Sequence, residues 1–441
     1  MKKIKFTPLT ITVLSFLGII VIGVFLLKLP ISTQGGESLS WYDSIFLSTS
    51  AVCVTGLSTI PNLSITLSVF GKIVLAMLIQ IGGIGIVTIA IYVLVILGIR
   101  IGVTERYILK EALNQHSMSG VVRLVKSIIV TTLIIEFFGM LINLIVFTQY
   151  YDDFWTALGI SAFHSISSFN NAGFDILGDS SLQAFSGNIL LNINTMLMIV
   201  IGGIGFIVIR DILGKKKWSG FSLYTKIVLK TTLFLIVSGT LIIKFFEYNN
   251  VTWLEALFQS ITTRTAGFST VSMNMFSYST LMVIMVFMFI GASPNSTGGG
   301  IKTTTFYIMF KSIVSFLKGK PTIINNRRIG SESRTKAFTL AGLALASIVV
   351  VFVVLGLLES GNPNHNMTFL EMLFETFSAF GTVGLSMGIT PFLMPVSKII
   401  LSLLMFLGRL GPISIFGIMN KNWGHPQVSN IEYATERVII G

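Results

Sequence analysis

Phe374-Glu375-Thr376-Phe377-Ser378-Ala379-Phe380-Gly381-Thr382-Val383-Gly384 decides how this chain is read. It opens as a short amphipathic helix and ends in Thr-Val-Gly. Small or β-branched side chains there can turn outward while the backbone carbonyls line a narrow path, and rings of such carbonyls replace the water shell of a permeating cation.

Three related segments precede it. Phe46 leads by ten residues to Gly56 in Phe-Leu-Ser-Thr-Ser-Ala-Val-Cys-Val-Thr-Gly, Phe163 by ten to Gly173, and Phe258 by nine to Gly267. The four glycines recur at intervals of 117, 94 and 117 residues, the mark of an internal repeat of about a hundred residues. The candidate filter residues are Cys53, Val54, Thr55 and Gly56; Asn170, Asn171, Ala172 and Gly173; Arg264, Thr265, Ala266 and Gly267; and Gly381, Thr382, Val383 and Gly384. Four such segments suffice to close a ring, and the ion expected in it is potassium.

Composition places the ring in a membrane. The chain has 441 residues, 53% of them hydrophobic and only 11% charged, which is more apolar surface than a soluble fold of this size buries. The single Cys53 excludes an internal disulfide framework and any Cys-rich metal site. A net charge of +12 would raise nucleic-acid binding in a soluble protein, but here its distribution matters more than its total and no nucleic-acid partner is expected.

Read in order, residues 6 to 27 form a retained first span, Trp41 to about Ala51 a pore helix, and 69 to 97 a second span. The order recurs with spans at 124–149 and 188–209, at 227–246 and 279–310, and at 337–358 and 396–419. The expected fold is an all-α integral membrane protein with eight transmembrane spans and four re-entrant pore loops, four repeats in pseudo-fourfold arrangement. The repeats cover 1–99, 100–215, 216–320 and 321–441. Re-entrant backbone is tolerable at membrane depth because protein encloses it and it lines a wet path.

Of the 30 basic residues, 24 fall in the termini and the loops between repeats, and five on the pore-loop side. By the positive-inside rule both termini are cytoplasmic. Eleven of the 18 acids lie on the opposite side, including Asp43, Asp152, Asp153, Asp175, Asp179, Glu255, Glu371 and Glu375. Together they suggest a negative mouth that concentrates cations; singly, each reads as a solvated loop carboxylate.

Gly291, Ala292, Ser293, Pro294, Asn295, Ser296, Thr297, Gly298, Gly299 and Gly300 interrupt the 279–310 span with residues that break helices. This predicts a gating loop beneath the filter; a tightly packed kink is the alternative. Neither 69–97 nor 188–209 carries such an insert, so the break is expected in the third repeat alone. Arg409, some thirteen residues into the last span, cannot easily reach either surface. It either faces the pore and holds the loop through its carbonyls, or pairs with Glu136, the one carboxylate inside a span.

These motifs resemble the Ktr/Trk/HKT superfamily of potassium transporters, most closely KtrB-type membrane subunits. The resemblance rests on the four glycine segments, Gln80-Ile81-Gly82-Gly83-Ile84-Gly85 and its echo Ile201-Gly202-Gly203-Ile204-Gly205, the 291–302 motif, and Gly408-Arg409-Leu410-Gly411-Pro412. It implies potassium uptake across a bacterial cell membrane, often sodium-dependent, with sodium as a possible activator. It also implies a homodimer on a cytoplasmic nucleotide-binding regulatory ring of the KtrA or KtrC kind. Gly56 is glycine where sodium-permeable plant relatives carry serine, which favours potassium. The chain itself has no nucleotide site and needs no cofactor.

Other residues carry less. Gly82, Gly83, Gly85, Gly202, Gly203 and Gly205 read as close-packing positions, and Trp41, Trp155 and Trp253 as an interfacial belt. His116, His164, His365 and His425 lack metal-ligand spacing, and no catalytic constellation is present, so no enzyme is expected. The basic clusters Lys215-Lys216-Lys217 and Arg327, Arg328 and Arg334 suit anionic lipid, an acidic regulatory ring, or solvent. Competing functions are an alternating-access cation symporter and a non-conducting membrane receptor.

Overall fold

The computed structural model describes residues 7–113, 117–178, 180–215, 217–363 and 365–412. The chain is built almost wholly of helices. In order these are α1 (Pro8–Lys28), α2 (Trp41–Val52), α3 (Leu63–Thr66), α4 (Val69–Ile84), α5 (Ile86–Ile96), α6 (Val103–Ala112), α7 (Val121–Phe147), α8 (Phe154–Phe169), α9 (Ile189–Ile204) and α10 (Phe206–Gly214). There follow α11 (Leu223–Phe246), α12 (Trp253–Thr262), α13 (Tyr278–Phe289), α14 (Thr303–Leu317), α15 (Ser331–Glu359), α16 (Phe369–Gly381) and α17 (Pro395–Leu410). A two-residue hairpin pairs Ile323–Ile324 with Arg327–Arg328.

Among the described residues, α1, α7, α11 and α15 are long and apolar enough to cross a membrane, and α4–α5 and α9–α10 qualify as bent pairs. Leu14, Val21, Phe25, Phe137, Phe234 and Val350 of the long helices face outward. The interior holds serine, threonine and asparagine side chains, among them Ser48, Thr132, Asn143 and Ser260. Polar groups buried in lipid must find partners inside the protein, so the polar residues collect at the centre.

One contact recurs and fixes the short helices in place. Ser48, Ser165 and Ser260, on α2, α8 and α12, donate to the carbonyls of Ile20, Glu136 and Ile236 at 2.8, 2.5 and 2.9 Å. Three residues on from each carbonyl stands a glycine, Gly23, Gly139 or Gly239; a β-carbon would collide with the same serine at Gly23 and Gly239, and with Met198 beside Ser165 at Gly139. Small residues let the helices approach closely enough to bond. The fourth unit departs: Thr376 donates within its own helix, to Leu373 at 2.7 Å.

Two expectations are corrected. The 69–97 and 188–209 spans are not continuous: α4 and α5 meet at 97°, as do α9 and α10. Gly85 and Gly205, at φ +94° and +93°, end the first helix of each pair in a conformation that other residues resist. The break is therefore not local to residues 291–300; Gly205 also packs against the Pro294 carbonyl, whereas a β-carbon on Gly85 would meet nothing nearer than Thr88 Oγ1 at 3.7 Å, so Gly85 is a bend and not the close-packing position expected. The last span, expected over 396–419, is helical from Pro395 to Leu410 and bends at Gly411 (φ +83°), and its expected end at 413–419 lies outside the described residues. The termini, with residues beyond 412, and also His116, Asp179, Lys216 and His425, lie outside the described residues.

Candidate functional site: a ring of carbonyls and its two mouths

Helices α2, α8, α12 and α16 each end just before one of the four glycine segments. A helix C-terminus carries partial negative charge, so four of them directed at one place favour a cation there. Beyond each helix the backbone alternates in hand. Val54, Asn171, Thr265 and Thr382 have φ of 57°, 58°, 75° and 49°, and Gly56, Gly173, Gly267 and Gly384 have φ of 95°, 69°, 81° and 94°. Alternation flips successive peptide planes so that carbonyls one after another face the same side.

The intervening amides face away. Thr55, Ala172, Ala266 and Val383 donate their N–H to the carbonyls of Ser50, Ser167, Thr262 and Ser378, at 2.8, 2.8, 2.9 and 2.9 Å. The Gly56 and Gly384 amides donate to the Ser50 and Ser378 hydroxyls, each at 3.1 Å.

The four segments close on one another in chain order. A β-carbon on Gly56 would lie 3.1 Å from the Gly173 Cα, one on Gly173 2.9 Å from the Gly267 Cα, one on Gly267 3.1 Å from the Gly384 Cα, and one on Gly384 3.1 Å from the Gly56 Cα. Only glycine combines that approach with positive φ. The carbonyls of Val54, Thr55, Asn171, Ala172, Thr265, Ala266, Thr382 and Val383 belong to fully buried residues and accept no hydrogen bond from the described residues.

The third residue before each glycine, Cys53, Asn170, Arg264 or Gly381, differs from segment to segment. The Asn170 amide donates to Gln80 Oε1 at 2.7 Å and to Glu136 Oε1 at 3.0 Å, and Gln80 Nε2 donates to Glu136 Oε2 at 3.0 Å. Arg264 is buried and reaches Thr232 Oγ1 at 3.4 Å, while Cys53 is a free, buried thiol. Gly381 packs under the Met288 carbonyl. The Gln80–Glu136–Asn170 cluster draws on three elements, and no local pattern in the sequence marks it.

One mouth of the ring opens into a cavity of about 420 Å³ that includes all four glycines in its wall. The acids expected to line it are mostly used elsewhere. Asp153, Glu255 and Glu371 cap α8, α12 and α16, the last two in capping boxes with Thr252 and Thr368. Asp43 pairs with Lys398 at 2.8 Å. Glu375 is buried and accepts from the Ser386 and Thr390 hydroxyls, tying down the loop beyond Gly384. Asp175 alone among the described acids lines the cavity, in the loop beyond Gly173. Burial pushes its carboxyl up to about 6, against the Leu177 amide and Ser181 hydroxyl, which hold it down.

Residues 291–300 form a loop between α13 and α14 that packs against the ring segments. Ser293 and Thr297 donate backbone N–H to the carbonyls of Gly203 and Gly202, at 3.0 and 3.3 Å, and Gly299 N–H donates to Thr382 Oγ1 at 3.1 Å. Gly298 lies against Thr265, so the loop touches two of the ring segments. Tyr224 donates to the Pro294 carbonyl at 2.6 Å, and Phe206, next to the Gly205 hinge, to that of Asn295 at 3.0 Å.

Arg409 does not pair with Glu136. Its guanidinium donates to the carbonyls of Thr297 in the loop and of Gly82 and Gly83 at the end of α4. Lys302, the last residue of the 291–302 motif, donates to Gly298 O at 2.8 Å. Two cations thus hold the same loop. His164 bonds Thr195 at 2.9 Å and His365 stacks on Phe392; no group of metal ligands occurs among the described residues.

The sequence profile of the family described as TrkH, cation transport protein, matches residues 7–431. The chain belongs to the TrkH family. It is a multi-pass membrane protein of a family of transporters, not enzymes. Within the TrkH family it is of the KtrB type: it is 38% identical to "Ktr system potassium uptake protein B" of Bacillus subtilis, over all of this chain and 98% of that protein. It is 35% identical to "Potassium/sodium uptake protein NtpJ" of Enterococcus hirae, over 99% of this chain and 98% of the other. The TrkH potassium transporter of Vibrio parahaemolyticus shares the fold, with a TM-score of 0.73 at 18% identity over 96% of this chain and 87% of that one.

Proposed function

We propose that this chain is the potassium-conducting membrane subunit of a Ktr-type uptake system. The observation that carries the reading is the ring of eight buried carbonyls that accept no hydrogen bond from the described residues. Unpaired carbonyls at membrane depth cost several kcal/mol each, and a dehydrated alkali ion on the axis satisfies them together. Thr265, Thr382 and their equivalents set the lower layer, and Thr55, Ala172, Ala266 and Val383 the upper. Because the four segments differ chemically, fewer equivalent layers form than in a strict tetramer, and discrimination against sodium is weaker.

In this reading the chain makes eight spans in four repeats, 1–99, 100–215, 216–320 and 321–441, with both termini cytoplasmic. Residues 291–300 form the gate, closed by Arg409 and Lys302. The names of the relatives extend the proposal: potassium is the cargo and sodium an activator or second cargo. The subunit works as a homodimer on a cytoplasmic regulatory ring, which brings any nucleotide control. Potassium uptake by a host lacking its own systems tests this. Rescue with saturable potassium dependence is expected, and a correctly inserted chain that gives no rescue overturns it.

A further inference from the structure

We propose that Asp175 is an external cation-binding site, a charge that collects potassium in the mouth before it enters the ring, and that protons compete for it. The inference rests on the potassium-uptake reading. Among the described residues lining the 420 Å³ cavity, Asp175 is the only charged one; its neighbours there are glycines, apolar residues and neutral side chains such as Ser58, Ser272, Asn274 and Ser386. It stands two residues beyond Gly173, so the carboxylate and the carbonyl ring share one wall.

A structural duty does not explain the residue. Asp175 accepts a bond from the Leu177 amide at 3.2 Å and one from Ser181, and has no cationic partner among the described residues. Among the described residues Tyr151 is the titratable group close enough to feel it, and it is neutral at physiological pH. Burial disfavours the charged form: for a carboxyl raised from 3.8 to about 6, the stability contribution falls as pH rises through that window. The fold therefore carries a charge that costs stability above pH 6, placed where an arriving cation meets it. Glu255, Glu371 and Asp43 lie on the same side but are spent on caps and a salt bridge.

A cation held about 6 Å from a carboxylate in water-like surroundings is enriched about 3-fold, and about 10-fold where the cavity wall halves the effective dielectric constant. The test is potassium uptake by cells of a potassium-uptake-deficient strain expressing the full chain, with KM measured at external pH 7.5 and 5. Wild type is expected to show a KM about 3- to 10-fold higher at pH 5. Asp175→Asn is expected to have that higher KM at both values, with a smaller change in maximal rate. Wild-type KM in Asp175→Asn at pH 7.5, or an acid effect that persists in it, overturns the proposal. Should Asp175→Asn fail to reach the membrane, Asp175→Glu decides: a displaced midpoint of the acid effect supports the site, and an unmoved midpoint refutes it. If wild type takes up another alkali cation and not potassium, the functional reading fails, while the same comparison with that cation still tests Asp175.

Discussion

Arg409→Gln removes the cation that joins the 291–300 loop to the end of α4. The guanidinium reaches three carbonyls, those of Thr297, Gly82 and Gly83, and a glutamine amide can replace one of these bonds at most. A hydrogen bond from a charged donor contributes about 1.5–3 kcal/mol. Losing even one from the seated loop, at the low end, shifts the balance between seated and displaced loop about tenfold, and losing two shifts it about a hundredfold. Lys302 still holds Gly298, so the shift stays at the lower figure unless both cations are replaced. The assay is rubidium flux through purified protein in liposomes, with thermal unfolding as the check on folding. Flux at least severalfold above wild type is expected, and a further rise in Arg409→Gln with Lys302→Gln. A well-folded Arg409→Gln variant with unchanged or lower flux refutes the assignment of this arginine to the gate.

Three more outcomes follow from the geometry. Gly173→Ala places a methyl 2.9 Å from the Gly267 Cα at φ +69°; strain and overpacking of about 2–5 kcal/mol distort the ring, and uptake is expected to fall more than tenfold at normal membrane abundance. Replacing residues 296–300 with alanine sets methyls against Thr265 and Thr382; rubidium flux is expected to rise, and a folded variant with less flux contradicts the gate. Glu136→Leu takes the acceptor from the Gln80 amide, at a cost of about 1–3 kcal/mol, while Asn170 keeps Gln80 Oε1 and the Ile166 carbonyl; it is expected to unfold at lower temperature in detergent than Glu136→Gln, and equal melting would show that the cluster contributes nothing.

The ring was legible because it repeats: a glycine that must accept positive φ recurs in four related segments, and the eye needs only the spacing. The 291–300 loop was legible because proline and three glycines stand inside an apolar run. The hinges were not, since Gly85 and Gly205 sit in Gly-Gly-Ile-Gly motifs whose first two glycines really are packing positions, and composition does not separate the two roles. The capping roles of two of the outer acids had a signal in the sequence. Thr252 and Thr368 each stand three residues before a glutamate, the spacing of a capping box, which commits Glu255 and Glu371 to helix ends. The Gln80–Glu136–Asn170 cluster and the reach of Arg409 to Gly82 bring together residues far apart in sequence, and only the packed fold shows them.

Rubidium scatters anomalously and follows potassium closely in size, so its position can be seen directly in crystals of the full complex grown with it. Anomalous density is expected on the axis enclosed by Gly56, Gly173, Gly267 and Gly384, beside the carbonyls of Thr55, Ala172, Ala266 and Val383. An axis empty of rubidium in well-ordered crystals, with the ion bound elsewhere in the chain, would contradict the account.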